Sequence, residues 1–90
     1  MRLKHLSKET LKERREQLHE LLDVALDLQL QGNDVFIRYT GHVSSIGVDI
    51  YDGEWSRDKD SYYREEYIDR NECYVDEMIN KLKAMRDLTI

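Results

Sequence analysis

In the stretch 35-VFIRYTGHVSSIGVDIYDGEW-55, His42 stands beside Gly41 with Asp49 and Asp52 downstream, the residue types of a general base and an orienting acid. Such a base needs a second group to fix its orientation and a nucleophile or substrate within hydrogen-bond reach. Here the candidates follow one another along a single hairpin and nothing marks a nucleophile, so His42 reads as an exposed histidine beside a turn glycine. His19-Glu20-Leu21-Leu22-Asp23 has the form of the zinc-binding HExxH helix with an aspartate in place of its second histidine. One histidine, an aspartate at i+4 and no third ligand make a poor zinc site. The acids of 49-DIYDGEWSRDKD-60 miss the calcium-loop spacing: the glycine does not follow a D-x-D-x-D run, and no glutamate stands at the twelfth position. Cys73 falls just inside an expected helix start, which lowers a thiol pKa; the competing reading is a half-buried structural thiol. With four glycines the chain has no glycine-rich phosphate loop. These residues predict no enzyme, no metal and no cofactor.

The elements that carry these residues follow from periodicity. From Ser7 to Gln31 no proline or glycine intervenes, and Leu11, Leu18, Leu21, Leu22, Ala25 and Leu28 recur at helical spacing, predicting an amphipathic helix over 7–31. Ser7 is its expected N-cap and Gly32 the residue that ends it in a left-handed conformation. At 1.5 Å per residue the helix is about 36 Å long, against about 20 Å for a strand of six or seven residues. Its charged end, 8-KETLKERREQ-17, should therefore overhang the sheet, as an arm for a partner or as a solvated end.

Two strands follow, with Val35, Ile37 and Tyr39 on one face of the first and Ile46, Val48 and Ile50 on one face of the second. Phe36, Arg38, Asp49 and Tyr51 take the other side. A two-residue turn at Gly41-His42 sets Ile37 opposite Ile46 and Phe36 over Gly47. A longer loop sets Arg38 opposite Asp49 and Phe36 opposite Tyr51, which pairs charge better, and the weak strand propensity of SSIG near the turn favours it. The segment SYYREEYI reads as helix or strand. Asp69 with Glu72 three residues on has the form of a capping box, which favours a strand over 62–68 and a helix over 70–87 with Val75, Met78, Ile79, Leu82 and Met85 as its stripe. The expected fold is α+β in the order α-β-β-β-α, one domain over 1–90: a small antiparallel meander with two helices packed on one face.

That architecture leaves a sheet face uncovered. Of the aromatic residues Phe36, Tyr39, Tyr51, Trp55, Tyr62, Tyr63, Tyr67 and Tyr74, those of the open face join Arg38 and Asp49 in a set that resembles a protein interface more than plain solvent surface. A homodimer that packs open faces or joins edge strands would also relieve a small core, because a chain this short buries only about 60–65% of its unfolded surface. The candidate partner-binding residues are Phe36, Arg38, Asp49, Tyr51, Asp52, Glu54 and Trp55, with the acids Glu65, Glu66 and Asp69.

Composition sets the kind of partner. The chain is 40% apolar and 37% charged with a net charge of −5, too hydrophobic to be disordered. Residues 1–16 carry six bases and three acids, residues 49–77 eleven acids and four bases. This dipolar arrangement steers association, and its acidic half argues against direct nucleic-acid binding. No apolar run reaches a membrane span, the first residues lack the apolar stretch of a signal peptide, and one cysteine makes no intrachain disulfide. A soluble cytoplasmic protein without membrane contact is the expectation.

Residues 41-GHVSSIGVDIYDGEW-55, with 67-YID-69 and the closing MINKLKAM, resemble small uncharacterised proteins of phages and prophages of Gram-positive bacteria, in which a GHV-x-x-I-x-V-x-I-Y-x-G-x-W hairpin precedes a short strand and a leucine-rich helix. The resemblance covers about residues 35–88 and brings no catalytic residues with it. It implies the same fold, the host cytoplasm as setting, and action by binding a host protein or protein–nucleic acid complex. With that context, the acids of 49–77 suggest a mimic of nucleic-acid phosphates that inhibits a defence effector, as anti-CRISPR proteins do. A homodimeric accessory protein acting by self-assembly is the alternative.

Overall fold

In the computed structural model, which describes residues 2–58 and 60–88, the first helix begins where Ser7 caps it: its hydroxyl accepts from the Thr10 N–H at 3.1 Å. Helix α1 (Lys8–Leu30) follows a short 3-10 turn, Arg2–His5, and stops at Gly32, whose φ of +95° places it in the left-handed region. Gly32 N–H donates to Gln29 and Asn33 N–H to Leu28, the paired bonds of a Schellman stop. Strands β1 (Asp34–Thr40), β2 (Ser45–Tyr51) and β3 (Tyr62–Tyr67) form an antiparallel sheet in that order, and helix α2 (Val75–Leu88) closes the chain. This is the expected α-β-β-β-α meander. Lys59 of the acidic segment lies outside the described residues.

The core lies between the sheet and the two helices. Leu21, Val24, Ala25 and Leu28 of α1 meet Ile46, Val48 and Ile50 of β2 and Val75, Met78, Ile79 and Leu82 of α2. Val48, Leu21, Leu28, Val75, Met78 and Leu82 have no solvent exposure, and each fully buried side chain of this size contributes about 1.5–3 kcal/mol. The helices run in the same direction, joined on their outer side by Gln17 to Asp76, Lys83 to Glu20 and Arg86 to Asp27.

Four details depart from the sequence reading. The hairpin takes neither expected register: residues 41–44 form a four-residue loop, so that Phe36 lies opposite Asp49 and Arg38 opposite Gly47. The pairings expected of the longer loop are met diagonally instead, Arg38 to Asp49 at 3.2 Å and Phe36 edge-on to Tyr51 at 5.8 Å. Ser44, at φ 54°, supplies the left-handed residue that closes the loop.

Helix α2 starts at Val75, not at 70. A helix from 70 would bond the Arg70 carbonyl to the Tyr74 N–H. Both are already engaged, the carbonyl by Arg14 at 3.0 Å and the N–H by Glu66 at 2.9 Å. Asp69 therefore opens no helix; it is buried, and its backbone carbonyl accepts from His5 at 2.8 Å.

The charged end of α1 is also no free arm. Arg14 and Gln17 are buried, and Arg14 donates to the carbonyls of Ile68 and Arg70, fastening α1 to the chain after β3. Finally, Leu22, expected in the core stripe, is 52% exposed.

Candidate functional site

The strand alternation sends Val35, Ile37, Ile46, Val48 and Ile50 to the helices and leaves Phe36, Arg38, Asp49, Tyr51, Tyr63 and Glu65 on the uncovered face. Phe36, Ile37, Arg38, Asp49, Tyr51 and Trp55 line one shallow hollow of about 360 Å³. Phe36 is 47% and Trp55 52% exposed. Trp55 is brought there by its own backbone: its N–H donates to the Asp34 carboxylate, while Gly53 N–H donates to Asn33 Oδ1 and the Gly53 carbonyl accepts from Asp34 N–H.

Across the sheet the polar groups form a relay. Asp49 accepts from Arg38 at 3.2 Å and from the Ser61 hydroxyl at 3.3 Å. The Arg38 guanidinium stands 6.0 Å from the centre of the Tyr63 ring, and the Tyr63 hydroxyl donates to Glu65 at 2.9 Å. That bond to a carboxylate, together with desolvation, raises the Tyr63 pKa above its ordinary value of 10.0. Tyr63 was not among the sequence-derived site residues. Its ring packs against Gly47, where an added Cβ would lie 3.5 Å from the Tyr63 hydroxyl. Only the β2–β3 register, which sets Tyr63 opposite Asp49, reveals this contact.

The acids expected to act together are separated. Glu65 and Glu66 border a second hollow of about 350 Å³ with Tyr67, Arg70, Glu72 and Tyr74. Glu66 is engaged by Arg64 at 3.2 Å as well as by the Tyr74 N–H, and Arg64 also meets Glu77. These carboxylates push the Arg64 pKa still higher, so it is charged throughout. Arg70 stacks over the Tyr67 ring at 4.3 Å. Asp69 is buried away from both hollows, and Asp52 and Glu54 are exposed in the loop after β2.

His42 lies exposed in the hairpin loop and His19 exposed on α1. Among the described residues no three His, Cys, Asp or Glu side chains are grouped to hold a metal ion. Cys73 precedes α2 rather than lying inside it, and burial pushes its thiol pKa up, outweighing the Val75 backbone hydrogen bond that lowers it. Among the described residues no helix is long and apolar enough to cross a membrane. No family model, curated protein or solved structure matches the chain.

Proposed function

We propose that this protein is a non-catalytic interaction protein that binds a host protein or protein–nucleic acid complex through its open sheet face and thereby inhibits or modulates it. The observation that carries the reading is the hollow in which Phe36, Tyr51 and Trp55 surround the Arg38–Asp49 pair. Exposed rings around a charge pair are the make-up of binding hot spots, where aromatic side chains and arginine dominate. The phage setting and the bacterial host come from the hairpin resemblance alone. Mimicry of nucleic-acid phosphates draws on fewer acids than the charge count suggests. Glu66 is tied to Arg64 and Tyr74, Glu65 accepts from the Tyr63 hydroxyl and Asp69 is buried; by exposure, Glu65, Asp52 and Glu54 are the acids such a mimic would present.

The test is capture of partners from a Gram-positive lysate containing an active defence system, run in parallel for the native chain, a Phe36→Ser/Trp55→Ala variant and a Glu65→Lys variant. Binding by the aromatic face predicts one dominant partner that the double variant loses by more than tenfold while its circular dichroism is unchanged. Loss with Glu65→Lys alone, and elution by salt, would replace that face with the acidic surface. Retention of the partner by both variants would sink both versions.

A further inference from the structure

A second surface lies at the free edge of β1, apart from the open-face reading. The Ile68 N–H donates to the Ser44 carbonyl at 2.9 Å, continuing the β2–β3 ladder, so even-numbered residues of β2 turn their backbone groups to β3 and odd-numbered ones to β1. By the β1–β2 register, Asp34, Phe36, Arg38 and Thr40 direct theirs to β2, and Val35, Ile37 and Tyr39 point theirs outward. An unpaired row of this kind is a template for another strand.

Beside this edge runs the flank of α1 turned away from α2. The α2 side of the helix is marked by Gln17, Glu20 and Asp27. On the other flank Leu11 and Leu18 line a groove with Tyr39 of β1, and Leu22 and Leu26 continue that flank at i+4 steps, 52% and 58% exposed. Their height along the sheet follows from the geometry. Tyr39 borders Leu18; three strand residues back to Phe36 cover about 10 Å, which is about six or seven helix residues. Phe36 is thus level with residues 24–25, between Leu22 and Leu26.

We propose that β1 is the contact through which two copies of this chain pair, antiparallel, about a two-fold axis at Phe36. That register sets Asp34 opposite the second copy's Arg38, twice by symmetry, and Val35 opposite its Ile37. It brings the Leu22–Leu26 flanks of the two α1 helices together above the joint. The Arg38 side chain is 67% exposed and keeps donors beyond those given to Asp49. β3 is the poorer edge: pairing it with itself about its middle residues sets Arg64 against Arg64 or Glu65 against Glu65. The two open faces become one six-stranded face with Phe36 at its centre, doubling the surface without covering it.

Two measurements on the full chain test this. Light scattering over a concentration series should give a dimer, and Leu22→Lys/Leu26→Lys, both at exposed positions, should weaken it by on the order of a hundredfold while leaving the fold intact. In a Cys73→Ser background, Phe36→Cys should form an intermolecular disulfide under mild oxidation. Residue 36 faces itself at a non-hydrogen-bonded position, where the Cα separation of about 4.5 Å suits a disulfide. Thr40→Cys, four residues from the axis, should not. A native chain that is monomeric throughout overturns the proposal, and so does a dimer that survives the lysine variant without linking through Cys at 36. Trp55→Ala leaves the edge and α1 flank untouched, so loss of a host partner and loss of the dimer are separately readable.

Discussion

At Tyr63 a phenol hydroxyl donates to the Glu65 carboxylate, and removing its proton would set two negative charges side by side. The folded pKa therefore lies above the unfolded 10.0, and the contribution of the protonated form is present below that pH and is lost as pH rises through the folded value. The difference between spectrophotometric titrations of the native chain and Tyr63→Phe should place the Tyr63 ionisation above its ordinary value, and Glu65→Ala should bring it down. Arg14 makes a stronger demand, since it is buried and donates to two backbone carbonyls far away in sequence. Arg14→Leu keeps much of the packing but leaves both acceptors without that donor, an expected loss of about 2–3 kcal/mol in chemical denaturation. Arg15, exposed beside it, should tolerate the same change within about 0.5 kcal/mol.

Among the elements, the turn from α1 into β1 depends on one residue. Gly32 sits at φ +95° with open space where a Cβ would be, so Gly32→Ala isolates the backbone cost from any clash. The expected destabilisation is about 1–2 kcal/mol, measured as a shift in urea midpoint with unchanged slope. This turn was legible in the sequence because its signal is local: a long run without glycine, then glycine. The strand faces were legible too, since alternation of Val35, Ile37, Ile46, Val48 and Ile50 fixes them whatever the register. The register and the start of α2 were not, because distant residues set them. Glu66 and Arg14 take the Tyr74 N–H and Arg70 carbonyl that a helix from 70 needs, and no local rule foretells that competition. The candidate site divides along the same line. Phe36, Arg38, Asp49, Tyr51 and Trp55 share a hollow because alternation and one short loop bring them there. Glu66, held by Arg64 and the Tyr74 N–H, and Asp69, buried, are acids whose surroundings net charge does not show, because it counts residues without regard to what they already bind.

For the whole molecule, the ion pairs take up part of the acidic segment, Asp49 with Arg38 and Glu66 and Glu77 with Arg64, while Lys83–Glu20 and Arg86–Asp27 join the two helices. Exposed pairs such as these contribute little each, so the core of α1, α2 and β2 carries the stability of a small chain. Leu22 and Leu26 add nothing to that core while exposed, and self-association is the means by which their burial would stabilise the fold. Unfolding coupled to dissociation depends on concentration: each tenfold increase adds about 1.4 kcal/mol per dimer, or about 0.7 per chain. For a domain of this size that raises Tm by roughly 3–6 °C. The native chain should show that slope in calorimetry across a concentration series, and Leu22→Lys/Leu26→Lys should give a flat line at the value the native chain approaches on dilution. A flat line for both would leave the monomer core as the sole source of stability and the β1 edge unpaired.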